Sequence, residues 1–228
     1  AALAETFTVS LVDGENELHA IAFSETRVES APAVVVLDYD APRRDRPTLW
    51  VVAIGIDEYR NAAYNLNYAV ADARGFTRQM RASAGDLFRD VETRILTNAE
   101  ATRGRFESTL DEIALSAKAE DVFVFFYAGH GIPVETDSEG GAEFYFLLHD
   151  VVDQDDTDQL STRGIAGSEF SQLAASIPAR NQLHVIDACY AGTMTAAFLT
   201  TASATRVTLD RMSRATGSVL IAAARAEQ

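Results

Sequence analysis

Val122-Phe123-Val124-Phe125-Phe126-Tyr127 runs without a polar break into Ala128-Gly129-His130-Gly131. An apolar run of this length, aromatic and β-branched and closed by glycine, reads as a strand buried on both faces. Two further runs have the same character. Leu49–Ile56 ends in Gly55-Ile56-Asp57, and Leu183-His184-Val185-Ile186 ends in Asp187-Ala188-Cys189-Tyr190-Ala191-Gly192. Strands of this kind belong to parallel sheets covered by helices, and the intervening segments carry helical spacing. Asn65–Ser83 places Leu66, Ala69, Val70, Ala73, Phe76 and Met80 on one face; Thr102–Lys118 and Ser168–Ile177 are further helices. Val91–Leu96 and Ser218–Ala223 complete the strands, with a short β excursion at Phe144–Leu148. The alternation predicts an α/β fold, a doubly wound and mostly parallel sheet with helices on both faces, which binds ligands at the carboxyl ends of its strands.

Upstream the pattern differs. Phe7–Val12 alternates, Asp13-Gly14 supplies a turn, Glu17–Phe23 alternates again, and Ala33–Leu37 is a third strand. Three such strands make about half of a small sandwich. Residues 1–40 are therefore expected to be a partial Ig-like β-sandwich, 41–47 a Pro- and Arg-rich linker, and 48–228 the α/β domain. His19 lies in one of the upstream strands and is expected to be an exposed structural residue.

The 228 residues carry 34 Asp and Glu against 19 Lys and Arg, a formal net charge of −15. An apolar fraction of 47% excludes wholesale disorder, and the acidity argues against a nucleic-acid partner, whose phosphates it would repel. No apolar run approaches the ~20 residues of a membrane span, so a soluble chain without such a span is expected. The cytoplasm is the favoured location, with the periplasm or secretion as alternatives because the chain opens on Ala1. The acidity is uneven: Ala119 to Thr162 holds 11 carboxylates and no Lys or Arg. All the basic residues but Lys118 are arginine.

His130 and Cys189 each follow the carboxyl end of a buried strand. In a parallel sheet those ends open on one edge, so distant residues can meet there. A lone cysteine is most often a small buried hydrophobe, and only a few per cent of a free thiol is thiolate at neutral pH. A neighbouring imidazole takes the thiol proton and later protonates a leaving amine. The N–H groups of Gly131 and Cys189 would supply an oxyanion hole. Nucleophile, base and oxyanion donors together suffice for acyl transfer from an amide. His149 and His184 lack such a context and are expected to be structural.

Phe126-Tyr127-Ala128-Gly129-His130-Gly131 and Ile186-Asp187-Ala188-Cys189-Tyr190-Ala191-Gly192 resemble the His and Cys motifs of the caspase and metacaspase clan of cysteine peptidases. Trp50–Tyr59 is similar to the clan's first strand, and Leu66–Ala73 to its first helix. The likeness covers residues 48–228 and is greatest to prokaryotic caspase homologues. It implies a cysteine endopeptidase acting on a protein or peptide, with His130 and Cys189 catalytic. Asp187 stands where true caspases carry Gln, as in metacaspases. In those enzymes this Asp and one early in the first helix, here Asp72, line an S1 pocket selecting Arg or Lys. Two carboxylates would indeed pair with a guanidinium and reject Asp. Tyr190 stands where metacaspases often carry His.

The resemblance also raises calcium, with Asp150, Asp153, Asp155 and Asp156 as ligands, although no EF-hand spacing is present and a solvated acidic loop is the plainer reading. No other cofactor is implied. An Arg-directed peptidase would cut itself at exposed arginines, and Arg43, Arg44, Arg46, Arg206, Arg211 and Arg214 are the sites expected. The clan's sheet has a sixth strand, whereas this chain stops soon after its fifth. A partner subunit or C-terminal fragment is expected to supply it. Two other readings remain open: a catalytically inactive caspase-like scaffold acting by protein–protein interaction, and a flavodoxin-like phosphate binder. The latter lacks a Gly-rich loop and is poorly served by the charge.

Overall fold

The computed structural model describes residues 6–9, 11, 14–24, 29–39, 46–135, 142–188 and 218–223. The chain divides into two units, Ala1–Asp45 and Arg46–Gln228. In the first, Gly14–Ala20 (β1) pairs antiparallel with Ala33–Tyr39 (β2), Gly14 facing Tyr39 and Ala20 facing Ala33. Gly14 opens β1 at a φ of 86°, a conformation that glycine takes without steric cost. Phe7, Thr8, Val9 and Leu11 lie in no strand, contrary to the sequence expectation. Their alternation reports amphipathicity and says nothing of a partner to pair with. His19 is exposed, with Nε2 2.7 Å from the Glu17 carboxylate.

The second unit runs Thr48–Gly55 (β3), Ala69–Ala84 (α1), Asp90–Thr97 (β4), Arg103–Ser116 (α2), Val122–Ala128 (β5), Gly131–Glu135 (β6) and Ala142–Phe146 (β7). Thr157–Arg163 (α3), Ile165–Ala166 (β8), Gly167–Ser176 (α4), Asn181–Asp187 (β9) and Ser218–Ala223 (β10) follow. Five strands form one parallel sheet in the order β10-β9-β5-β3-β4. From β3 the chain steps outward to β4, then returns to the other side of β3 with β5. Strand order reverses between β3 and β5, and a crevice at the carboxyl ends of such a pair is where α/β sheets bind ligands.

Burial follows the pleat. Phe123, Phe125 and Tyr127 face Phe106, Leu110 and Ile113 of α2 and Phe170 and Ala174 of α4 in one core cluster. Phe126 and Ala128 meet Ala69 and Ala73 of α1 on the opposite face, where Val124 packs with Val51. That two-sided burial is why β5 reads as a continuous apolar run. Beneath the sheet's amino end, the buried Asp121 carboxylate accepts the Thr48 N–H (2.8 Å), the Trp50 Nε1–H (3.1 Å) and the Lys118 N–H (2.9 Å). His184, on β9, packs its ring against Phe123 and Phe170, and burial pushes its pKa down to about 4. It is structural, as expected.

Two features exceed the sequence expectation. The short excursion is a three-stranded antiparallel sheet, β6-β7-β8. The acidic loop contains a helix, α3. Asp156 is its N-cap, accepting the N–H groups of Asp158 (3.0 Å) and Gln159 (3.1 Å), while Gln159 Nε2 reaches back to its carboxylate. These bonds hold the Asp156 pKa below the usual carboxylate value.

Candidate active site

Beyond Gly55, Ile56 prolongs the β3–β5 pairing by donating its N–H to the Ala128 carbonyl at 3.2 Å. The chain then leaves the sheet as the segment 57–66, and polar side chains fix this segment almost residue by residue. The Asp57 carboxylate caps α1 from outside the helix, accepting the N–H groups of Ala69 (2.7 Å) and Val70 (3.3 Å). Asn98, at a φ of 47°, accepts the Asp57 and Glu58 N–H groups at 2.9 and 3.2 Å. Asn65 accepts the Tyr59 N–H at 2.9 Å. His149 braces the segment twice: its carbonyl accepts the Arg60 N–H (2.8 Å), and its Nδ1 donates to the Glu58 carbonyl (2.6 Å). That is the structural role expected of His149.

This segment delivers two tyrosines to His130, which follows β5 by two residues. The His130 N–H donates to the Tyr59 hydroxyl at 2.9 Å. The His130 carbonyl accepts from the Tyr127 hydroxyl (2.7 Å) and the Leu147 N–H (3.0 Å). Burial pushes Tyr59 up to about 12, against hydrogen bonds from the His130 backbone and Tyr127, and pushes Tyr127 well above the ordinary phenol range. The half-buried imidazole lies between the Tyr59 and Tyr64 rings, centroids 5.3 and 6.1 Å away. Its Nε2 is 2.9 Å from the Tyr64 carbonyl oxygen. A carbonyl only accepts, so Nε2 carries the proton and, in the neutral ring, Nδ1 holds the lone pair.

The glycines beside His130 serve different ends. A Cβ on Gly129 would lie 2.7 Å from the Tyr127 hydroxyl and 2.9 Å from that of Tyr59. This residue is small to admit the phenols. Gly131 faces Phe146 across the β6–β7 pair, and the bond from Leu147 N–H to the His130 carbonyl brackets that position. Gly131 is thus in a non-hydrogen-bonded pair, its N–H pointing away from β7 off the free edge of the sheet. Pro133, two residues on, occupies the equivalent position, where its missing N–H costs no ladder bond.

Asp187 ends β9 in register with Ala128, and its carbonyl accepts the Gly129 N–H at 3.3 Å. Its side chain is exposed, as is that of Asp72 in the first turn of α1. Neither carboxylate makes a hydrogen bond or ion pair among the described residues. His130, Gly131 and Asp187 thus share the carboxyl edge, at the end of which Asp57 also caps the helix that carries Asp72. Cys189, Arg43, Arg44, Arg206, Arg211 and Arg214 lie outside the described residues; Arg46 is described and exposed. Asp150, Asp153, Asp155 and Asp156 do not converge: among the described residues no three His, Cys, Asp or Glu side chains gather to hold a metal. Asp156 is spent on its helix cap, and Asp153 accepts the Asp155 N–H at 3.0 Å. Among the described residues these carboxylates form no assembled metal site.

Sequence reasoning missed Asp57, Tyr59, Tyr64 and Tyr127 as parts of the site. A signal existed for Asp57, an acidic residue just beyond a buried strand.

A family model described as the caspase domain matches residues 48–227. The chain belongs to the caspase-domain family. This domain is of cysteine-peptidase type, and its central sheet and flanking helices agree with that membership. No curated protein matches the chain. Among solved structures, a crystal structure of a Geobacter sulfurreducens protein is similar at 18% identity and a TM-score of 0.49, covering 76% of this chain. The chain spans 58% of the length of that protein. Among the described residues, no helix is long and apolar enough to cross a membrane.

Proposed function

We propose that this caspase domain is a cysteine endopeptidase that cleaves after Arg, less readily after Lys, with Cys189 as nucleophile and His130 as base. The arrangement of His130 carries the reading. Its backbone is gripped at both ends, and its Nε2–H is committed to the Tyr64 carbonyl, which leaves Nδ1 as the proton acceptor. Ala128 and Asp187 end neighbouring strands in register, and in the sequence His130 and Cys189 each follow that pair by two residues. Adjacent strands lie about 4.8 Å apart, the scale on which a thiol and an imidazole exchange a proton.

In the reaction, Nδ1 takes the Cys189 thiol proton and the sulfur attacks the scissile carbonyl carbon. The oxyanion accepts the N–H groups of Gly131 and Cys189. Collapse breaks the C–N bond, and the imidazolium returns its proton to the leaving amine. Water, deprotonated by the same imidazole, then hydrolyses the thioester. Asp72 and Asp187, exposed carboxylates without partners among the described residues, would receive the substrate guanidinium, and Arg presents a bidentate fork that Lys lacks. Self-processing at Arg43, Arg44, Arg46, Arg206, Arg211 or Arg214 follows from the same specificity.

The test is a fluorogenic peptide panel with Arg, Lys, Asp and Leu at P1, run on the wild type, Cys189→Ala and Asp187→Asn. Turnover after Arg should vanish in Cys189→Ala and fall at least ~10-fold in kcat/KM in Asp187→Asn, since a charge-assisted bidentate pair is lost. No turnover with any P1, or activity surviving in Cys189→Ala, would sink the peptidase reading. Cleavage after Asp would sink the S1 assignment alone. New termini mapped after incubation should fall at the named arginines; intact arginines in an active sample would dismiss self-processing.

A further inference from the structure

Two buried tyrosines from different elements both direct their hydroxyls at His130. Tyr59, from the segment after β3, is 4% exposed, and Tyr127, near the end of β5, is 0% exposed. Burial of a phenol requires only one hydrogen-bond partner. Here the direction of each bond to the His130 backbone is determined. The His130 N–H can only donate, so the Tyr59 oxygen accepts it at 2.9 Å. The carbonyls of His130 and Leu147 can only accept, so Tyr127 shares its single proton between them at 2.7 and 2.8 Å. The two hydroxyls thus hold the backbone of one residue from both sides, Tyr59 at the N–H of His130 and Tyr127 at its carbonyl.

That carbonyl and the Gly131 N–H are the two ends of one planar peptide. Gripping the oxygen from two sides, with the Tyr127 hydroxyl and the Leu147 N–H, fixes the plane in which the Gly131 N–H points. Donors on the oxygen also draw electron density toward it and make the N–H at the other end a better donor. Gly129 leaves the room for this: a Cβ there would touch both hydroxyl oxygens. The N–H so aimed is the one the ladder leaves unbonded to β7.

We propose that Tyr59 and Tyr127 are positioning residues for oxyanion stabilisation: Tyr127 holds and polarises the His130–Gly131 peptide and Tyr59 anchors the peptide before it, so that the Gly131 N–H meets the developing oxyanion without rearrangement. The proposal rests on the peptidase reading above and extends it to residues that touch no substrate. An oxyanion donor held in place acts on the transition state and hardly on bound substrate, so its loss appears in kcat rather than KM.

The experiment compares Tyr59→Phe, Tyr127→Phe and the double variant with the wild type, using a peptide substrate and the matching peptide aldehyde. The aldehyde adds the cysteine S–H across its C=O, forming a hemithioacetal whose oxygen occupies the same hole. Removing an oxyanion donor outright costs roughly 10²–10³ in kcat, so loosening one should cost about 10- to 100-fold. KM is expected to stay within about threefold, and aldehyde affinity to fall in step with kcat. The double variant should lose less than the product of the single losses, because both hydroxyls hold the backbone of the same residue. Folded variants with unchanged kcat, or losses that multiply in the double variant while KM rises in parallel, would overturn the proposal and leave the peptidase reading standing. A wild type without turnover overturns both. Should a variant fail to fold, amide hydrogen exchange in the wild type decides: the Gly131 N–H should exchange faster than that of Leu147, and a protected Gly131 would refute its being an open donor.

Discussion

Gly55→Ala should destabilise the α/β unit, even though alanine is the better residue within a strand. The added Cβ would stand 2.3 Å from the Ala69 carbonyl oxygen, 2.8 Å from its carbonyl carbon and 2.8 Å from the Ala73 Cβ. The first two are helix backbone, so no rotamer change relieves the clash. A carbon–oxygen contact settles near 3.3–3.6 Å, so the first turn of α1 would have to retreat by about 1 Å. That turn is pinned: Asp57 holds the Ala69 N–H at 2.7 Å, and the Leu66 N–H donates to the Asp57 carbonyl at 2.8 Å. Overpacking costs about 1–3 kcal/mol and a weakened cap about 1 kcal/mol. Removing the excess backbone entropy of glycine returns only about 0.5–1 kcal/mol. The clash wins by about 2 kcal/mol, a fall in Tm of about 4–8 °C for a unit of this size. Gly75→Ala, in the middle of α1, is the matched control. Its Cβ would meet nothing nearer than an Arg78 nitrogen at 3.7 Å, so the same change should stabilise by about 0.5–1 kcal/mol. Urea unfolding followed by the fluorescence of Trp50, the chain's single tryptophan, reads both. If Gly55→Ala matched or exceeded the wild type, the reasoning that α1 rests directly on the end of β3 would be wrong.

Two further outcomes follow from buried polar groups. His184 is held near 4 by burial while its unfolded value is about 6.5, so the unfolded chain takes up the proton first as pH falls. Its contribution is whole above about pH 6.5 and is lost by about pH 4, roughly 3 kcal/mol in all, and unfolding free energies in His184→Gln should show a shallower slope over that window; parallel curves would contradict this. Asp121→Ala removes the acceptor of three N–H donors, two of them backbone, and should cost about 3 kcal/mol in urea unfolding with a red-shifted Trp50 emission, whereas a change under 0.5 kcal/mol would mean that water replaces the carboxylate.

The parallel sheet was legible because its signal is local. A strand buried on both faces has to be apolar throughout, and β3, β5 and β9 announce themselves within a few residues; β10 at Ser218–Ala223 matches its expected bounds. Ends set by distant side chains were harder to see. α1 begins at Ala69 and not Asn65, because its cap is Asp57 at the close of β3, while Asn65 is occupied with the Tyr59 N–H. α3 went unseen although Asp156-Thr157-Asp158-Gln159 carries a reciprocal capping pattern, since a dense run of carboxylates reads first as solvated loop.

The site divides along the same line. His130 and the glycines beside it stood out as a motif, but the motif alone does not tell the two glycines apart. The space beside Gly129 is filled by two phenols, and the N–H that the β6–β7 ladder leaves unbonded belongs to Gly131. Nothing in the spacing of Tyr59, Tyr127 and His130 reveals that both hydroxyls bond the His130 backbone, because Tyr59 comes from the segment after β3 and Tyr127 from β5, brought together by the β3–β5 register. That register is fixed by burial on both faces, since a slip of one residue would turn Phe123, Phe125 and Tyr127 out of their core. The pattern that made the fold readable therefore also sets the position of the peptide beyond β5, and a substitution that shifts the strand should disturb the site before it unfolds the sheet.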